Sequence, residues 1–243
     1  DYLLDADSFK ETGMLTFSIR PETRDKSPAD GKISGFGRID GRPVSLVAND
    51  FTVLGASSSQ INMKKMRHMK RVAATQGMPL VLLGESSGGR MPDRMGAQGR
   101  STIGQDAYEY RRLRESPWVS ALMGDCYGSS TWYSCISDFV VMRKGAIMAV
   151  SSPRVTSLAI NQPIDPEELG GWRLHTETTG LIDLACESDQ EVLDAVKAFL
   201  SYLPGHQNEP PPVCAAAPPK QPEERIRQLL PASRSQVYDV RKI

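Results

Sequence analysis

Two short stretches of this 243-residue chain have residue types and spacings suited to chemistry, and a third carries concentrated charge. Gly84-Glu85-Ser86-Ser87-Gly88-Gly89-Arg90 follows an apolar run. Its small residues let a backbone approach a ligand closely and aim N–H groups at an anion or a carbonyl oxygen. A tight strand-to-helix turn with no ligand explains the same residues. The stretch also satisfies G-x-S-x-G, with Ser86 where a serine hydrolase carries its nucleophile. Asp165 or Glu167, then His175, would complete that order, although such short matches recur by chance in Gly- and Ser-rich chains. It is no P-loop, because the Lys-Ser/Thr ending is missing.

The second stretch, Met123 to Phe139, reads as a strand, a Gly128-Ser129-Ser130 turn, a helix and a further strand from Asp138. A helix starting just past Gly128 has free N–H groups that suit an oxyanion. An N-cap role for Ser130 and core packing of Trp132 account for these residues equally well. The third stretch is the basic series Lys64, Lys65, Arg67, Lys70 and Arg71, with no acidic residue between Phe51 and Gly84. Such a run is a solvated helix face or a dock for a phosphorylated cofactor tail. No aromatic residues interleave it as nucleic-acid stacking would need.

The elements that must position these stretches alternate along the chain. Gly35 to Ile39 and Pro43 to Ala48 flank Asp40-Gly41, a hairpin turn of the type that needs positive φ. Pro79 to Leu83, Val119 to Met123, Phe139 to Met142, Ile147 to Val150 and Leu181 to Ala185 are brief apolar runs that predict buried strands. Helices are expected over Ser58 to Thr75 with a methionine stripe, around Gly104 to Arg114, and after the capping pattern Ser188-Asp189-Gln190-Glu191. Short strands interleaved with helices make an α/β layered domain over residues 1–203. From Pro204 the proline density favours an extended arm, residues 204–243, ending in a short helix from Glu223 to Leu230.

Lys and Arg number 29, as do Asp and Glu, so no bulk charge draws the chain to nucleic acid or to an anionic membrane. No apolar run approaches the ~20 residues of a membrane span. Cys126, Cys135, Cys186 and Cys214 show no CxxC spacing and the three histidines are scattered, so neither a disulfide framework nor a metal site is expected. Asp1 to Asp7 shows no initiator Met and no signal core, as in a mature or trimmed chain.

Taken in order, several motifs resemble the N-terminal half of the carboxyltransferase β subunits of biotin-dependent acyl-CoA carboxylases, such as propionyl-CoA and methylcrotonoyl-CoA carboxylases. They are Asp7-Ser8-Phe9-x-Glu11, Gly35-x-Gly37-Arg38-Ile39-Asp40-Gly41-Arg42-Pro43-Val44, Asn49-Asp50-Phe51-Thr52-Val53-Leu54-Gly55-Ala56-Ser57 and Ser86-Ser87-Gly88-Gly89-Arg90. Glu167-Glu168-Leu169-Gly170-Gly171 with His175, Leu200-Ser201-Tyr202-Leu203-Pro204 and Tyr238-Asp239-Val240-Arg241 complete the set. The resemblance implies a crotonase-like superhelix of ββα units and transfer of a carboxyl group from carboxybiotin to the α-carbon of an acyl-CoA. The enolate formed on the way needs prearranged N–H donors. Gly128, Ser129 and Ser130 are the implied oxyanion hole. Gly55, Ala56, Ser87, Gly88, Gly89 and Arg90 are implied along the acyl-CoA channel, and Lys65 with its basic neighbours at the CoA phosphates. Implied partners are a C-terminal half that holds biotin, a biotin carboxyl carrier and biotin carboxylase, in an oligomer of the cytoplasm or mitochondrial matrix.

Three departures stand out. The family usually has Gly-Gly-Ala where this chain has Gly128-Ser129-Ser130, bulkier Thr131, Trp132 and Tyr133 follow, and Asp-Ser-Gly-Gly-Ala-Arg has become Glu85 to Arg90. They imply an unusual acyl group, an altered reaction or reduced activity. Rival readings are decarboxylation of a malonyl- or glutaconyl-type thioester at the same site, a serine hydrolase built on Ser86, and a non-catalytic assembly subunit.

Overall fold

The structure is a computed structural model that describes residues 2–101, 115–218 and 223–242, so the helix expected at Gly104 to Arg114 lies outside the described residues. The chain divides into two compact units, 1–211 and 212–243. In the second unit a helix, Glu223–Leu229, precedes a short 3-10 turn, Val240–Lys242.

The first unit is built on one mixed sheet. Its strands are β1 (Lys10–Thr12), β2 (Lys32–Ile39), β3 (Arg42–Asn49), β4 (Leu80–Ser86), β5 (Trp118–Tyr127), β6 (Phe139–Arg143), β7 (Met148–Ala149) and β8 (Leu184–Cys186). Their order is β1-β2-β3-β4-β5-β6-β8, with β7 paired to β5. β1, β2 and β3 are antiparallel, whereas every pair from β3 onward is parallel. The hairpin forms as the Asp-Gly pair predicts: Asp40 and Gly41 have φ of 50° and 78°. Both of their N–H groups donate to the Asp5 carboxylate, at 2.9 and 2.8 Å.

A parallel sheet buried on both faces needs helices on both. The helix Gln60–Gln76 covers one face with Met66, Met69 and Ala73 against Val47, Leu80 and Leu82. It begins later than expected, because Ser59 and not Ser58 is the N-cap. The Ser59 hydroxyl accepts the Asn62 N–H at 3.1 Å while the Asn62 side chain accepts the Ser59 N–H at 2.9 Å. The other face is covered by the helix Asp189–Ser201, whose Val192, Val196 and Leu200 pack on Val81, Val119 and Val141. Leu80, Val81 and Leu82 therefore point alternately to the two layers. Phe199 stacks on Phe139 with ring centroids 4.5 Å apart.

Leu200 is 1% exposed at the centre of the second layer. Leu200→Ala is expected to cost about 2–5 kcal/mol, read as a lower urea midpoint with an unchanged slope.

Candidate functional site

Because β3, β4 and β5 are parallel neighbours, the loops leaving their carboxyl ends emerge side by side. These loops hold Gly55 and Ala56, then Ser87 to Arg90, then Gly128 to Ser130. They are laced together by backbone bonds. The Ser87 N–H donates to the Gly55 carbonyl at 2.9 Å, the Ser58 N–H to Gly88 at 2.7 Å, and the Arg90 N–H to Ser58 at 2.9 Å. The Ser58 and Ser129 hydroxyls share a hydrogen bond of 2.6 Å. Two glycines are required by geometry. Gly55 has φ 61°, and a Cβ there would stand 2.7 Å from Ser87 Oγ; Gly128 has φ 69°, and its Cβ would stand 3.6 Å from Gly88 Cα.

Amide accounting separates structural donors from available ones. The Gly88 N–H donates to Ser86 Oγ at 3.1 Å and the Gly128 N–H to the Ala149 carbonyl at 3.3 Å. The Gly128 amide, expected among the oxyanion donors, is therefore spent inside the fold. The N–H groups of Gly89, Ser129 and Ser130 have no protein acceptor among the described residues. Ser129 and Ser130 open the helix Ser129–Cys135, so their N–H groups are of the kind a helix leaves unpaired. Neither has positive φ. Serine is therefore accommodated at 129 and 130 without backbone strain, since only Gly128 makes the left-handed turn. The helix starts at Ser129 with Gly128 as its N-cap, not Ser130, and Trp132 is 52% exposed while Tyr133 is buried.

Arg90 and Lys65 do different work from that expected of them. Arg90 is 4% exposed, and its guanidinium meets Asp30 Oδ1 at 2.5 Å and donates to the Ser57 hydroxyl and carbonyl at 3.2 and 3.1 Å. These bonds tie the Gly88-Gly89 loop to Asp30 and Ser57, with the guanidinium itself buried. Lys65 is also buried, with Nζ donating to the carbonyls of Gly13 at 3.1 Å, Ala29 at 2.9 Å and Lys32. Three acceptors saturate an ammonium, so Lys65 cannot reach a phosphate. Lys70 turns inward too, lying 4.7 Å from the Tyr133 ring centre. Of the basic series, Lys64 and Arg71 remain exposed.

The hydrolase reading fails on geometry. Ser86 is fully buried, and its hydroxyl donates to the Ala56 carbonyl at 3.3 Å. The His175 ring is engaged by the Met148 carbonyl at 2.8 Å and the Thr179 hydroxyl at 3.0 Å. Neither side chain is free for a triad.

Asp30 is the residue that sequence reading passed over. It sits, fully buried, in the left-handed turn Ala29-Asp30-Gly31. Its carboxylate also accepts the Asn62 N–H at 2.9 Å and the Ser59 hydroxyl. The Asp-Gly pair before β2 is a turn signal, but nothing local reveals a partner 60 residues away. Glu85, half-buried beside these loops, has its carboxyl raised by desolvation, only partly offset by Arg143. Among the described residues no cluster of His, Cys, Asp or Glu has the makings of a metal site, and no helix is long and apolar enough to cross a membrane.

Residues 1–243 match the family described as the carboxyl transferase domain. The chain belongs to that family. The propionyl-CoA carboxylase beta chain of Roseobacter denitrificans is 32% identical over 251 residues, covering 100% of this chain and 48% of the relative. The methylmalonyl-CoA decarboxylase subunit alpha of Veillonella parvula is 28% identical, covering 89% of this chain and 43% of the relative. Among solved structures, transcarboxylase 12S with methylmalonyl-coenzyme A and methylmalonic acid bound superposes with a TM-score of 0.79 at 29% identity, over 99% of this chain and 48% of that one. The fold is accordingly the crotonase-like one expected. This carboxyl transferase domain spans about half the length of the curated relatives it matches.

Within the domain, removing Arg90 leaves Asp30 charged, buried and unpaired. Arg90→Met is expected to cost about 3–5 kcal/mol in urea unfolding, and Arg90→Lys to recover only part of that because lysine lacks the planar fork.

Proposed function

We propose that this chain is the acyl-CoA-binding half of a biotin-dependent carboxyltransferase. The thioester carbonyl oxygen lies against the N–H groups of Ser129, Ser130 and Gly89, with Gly88 and Gly89 lining the acyl-CoA channel and Ser87 at its rim. Gly55, Ala56 and Arg90 hold that wall from behind. The observation that carries this reading is the set of unpaired amides on two abutting loops, in a fold similar to transcarboxylase 12S with methylmalonyl-coenzyme A bound.

The chemistry follows from charge. Loss of an α-proton places negative charge on the thioester oxygen, and fixed N–H dipoles stabilise it more than they stabilise the neutral carbonyl. Backbone donors suit this task because they cannot titrate and are held by the fold. Carboxybiotin, when held by a C-terminal half, would supply the carboxyl group and, once decarboxylated, a ureido nitrogen able to take the α-proton, so this chain's own task is to hold the thioester oxygen. The partners are then that half, as a separate subunit or a further segment, the biotin carboxyl carrier and biotin carboxylase. Assembly is oligomeric, in the cytoplasm or mitochondrial matrix.

Calorimetric titration is expected to show saturable binding of acetyl-, propionyl- or longer acyl-CoAs and none of the free acids; silence from every thioester would end the reading. Proline is tolerated at the first helical position, so Ser129→Pro deletes one N–H and keeps the helix. It should weaken a nitroalkyl-CoA in its nitronate form, which carries the enolate's charge, by about 10²-fold or more. Propionyl-CoA affinity should change little, and Ser129→Ala should bind both ligands as the parent does. Similarity to the Veillonella decarboxylase subunit favours a second reading, carboxyl removal at the same site. Carbon dioxide release from methylmalonyl-CoA in the complete complex, with no net carboxylation, would select it.

A further inference from the structure

Beneath the loops lies a charged group that the chemistry above does not use. Lys32, at the start of β2, is 2% exposed, and among the described residues the hydrogen bond its Nζ makes is to Asn49 Oδ1, at 2.6 Å. Asn49 ends β3. With Oδ1 held by the ammonium, its Nδ2 points the other way, donating to the Glu85 carbonyl and to Ser130 Oγ, the latter at 3.3 Å. One amide thus spans the two loops that carry the available N–H groups. An ammonium only donates, so it forbids the flipped amide, which would set N–H against N–H.

We infer that Lys32 is a positioning residue. Acting through Asn49, it sets the separation of the end of β4, which leads into the Ser87–Gly89 loop, and the helix start at Ser129-Ser130, and it ties that separation to its own charge. The significance for enolate binding rests on the function proposed above; the mechanical coupling does not.

The state of Lys32 is open to change near neutrality. Burial pulls its ammonium down to about 8, reinforced by Lys65 of the helix Gln60–Gln76 and Arg90 of the loop after β4 and opposed by Asp30 of the turn before β2, while Cys126 faces it from β5. Below that pH the charged group locks the amide with a charge-assisted bond. Above it the neutral amine still donates to Asn49 Oδ1 but without the charge, and the Glu85 carbonyl still takes Nδ2, so the amide keeps its orientation while the hold on it loosens. Burial holds the neighbouring Cys126 thiol up to about 12, outside this window.

The test is a proton–nitrogen NMR titration of the full chain from pH 6.5 to 9.5. The Asn49 side-chain amide and the backbone amides of Ser129 and Ser130 are expected to shift together with a midpoint near 8. In Lys32→Met they should stay flat, and in Asn49→Leu the Ser129 and Ser130 amides should no longer respond. Insensitive Ser129 and Ser130 amides in the parent chain, or the same titration in either variant, would overturn the inference. At pH 7, Lys32→Met should also weaken the nitronate ligand relative to propionyl-CoA by about tenfold; an unchanged ratio counts against the coupling to the enolate. If neither ligand binds the parent chain, the proposed function falls, and the amide titration alone still decides the role of Lys32.

Discussion

The site depends on the buried ion pair between Asp30 and Arg90. A charge pair taken out of water holds only if its geometry is good and its remaining lone pairs and protons are satisfied. Here Asp30 receives the guanidinium, a helix-capping hydroxyl and the Asn62 N–H, while Arg90 spends its other donors on Ser57. The pair therefore joins the turn before β2, the cap of the helix Gln60–Gln76 and the loop after β4. Each of these would wander if it were only a surface connection. Together they form one wall, with Gly88 buried in it and Gly89 at its exposed edge.

The opposite wall follows from topology. Parallel neighbours deliver their carboxyl-end loops to one place, and β5 is the neighbour of β4. The turn at Gly128 then starts a helix whose first amides find no acceptor among the described residues. Serines at 129 and 130 leave those backbone amides in place. A donor that belongs to the backbone depends on φ and on what its N–H faces, not on the side chain, provided the one left-handed position stays glycine. What the serines add is side-chain contact: Ser129 reaches Ser58, and Ser130 accepts from Asn49.

Much of this was legible locally. Asp40-Gly41 identified the hairpin because two adjacent positive φ angles are a property of those residues themselves. The helix after Ser188 was readable because its cap and its apolar spacing lie within one segment. The Gly-rich loops were recognisable as places of close backbone approach, and their order along the chain pointed to the family. The basic series misled because a run of Lys and Arg is normally solvated. Lys65 and Lys70 go inward, since carbonyls of the turn before β2 and aromatic rings of β5 and the helix Ser129–Cys135 lie there to receive them.

Sequence by itself determined most of the strands, the hairpin, the cap of the helix Asp189–Ser201 and the glycines at the turns, because each is set by residues within a few positions of one another. It also carried the family, through motifs kept in order. Tertiary structure alone decided which charges are buried and which amides are open. Asp30 and Arg90, Lys65 and its three carbonyls, and Lys32, Asn49 and Ser130 meet only when distant segments are brought together, and a hydrogen-bonding group is spent or available according to what stands opposite it in space.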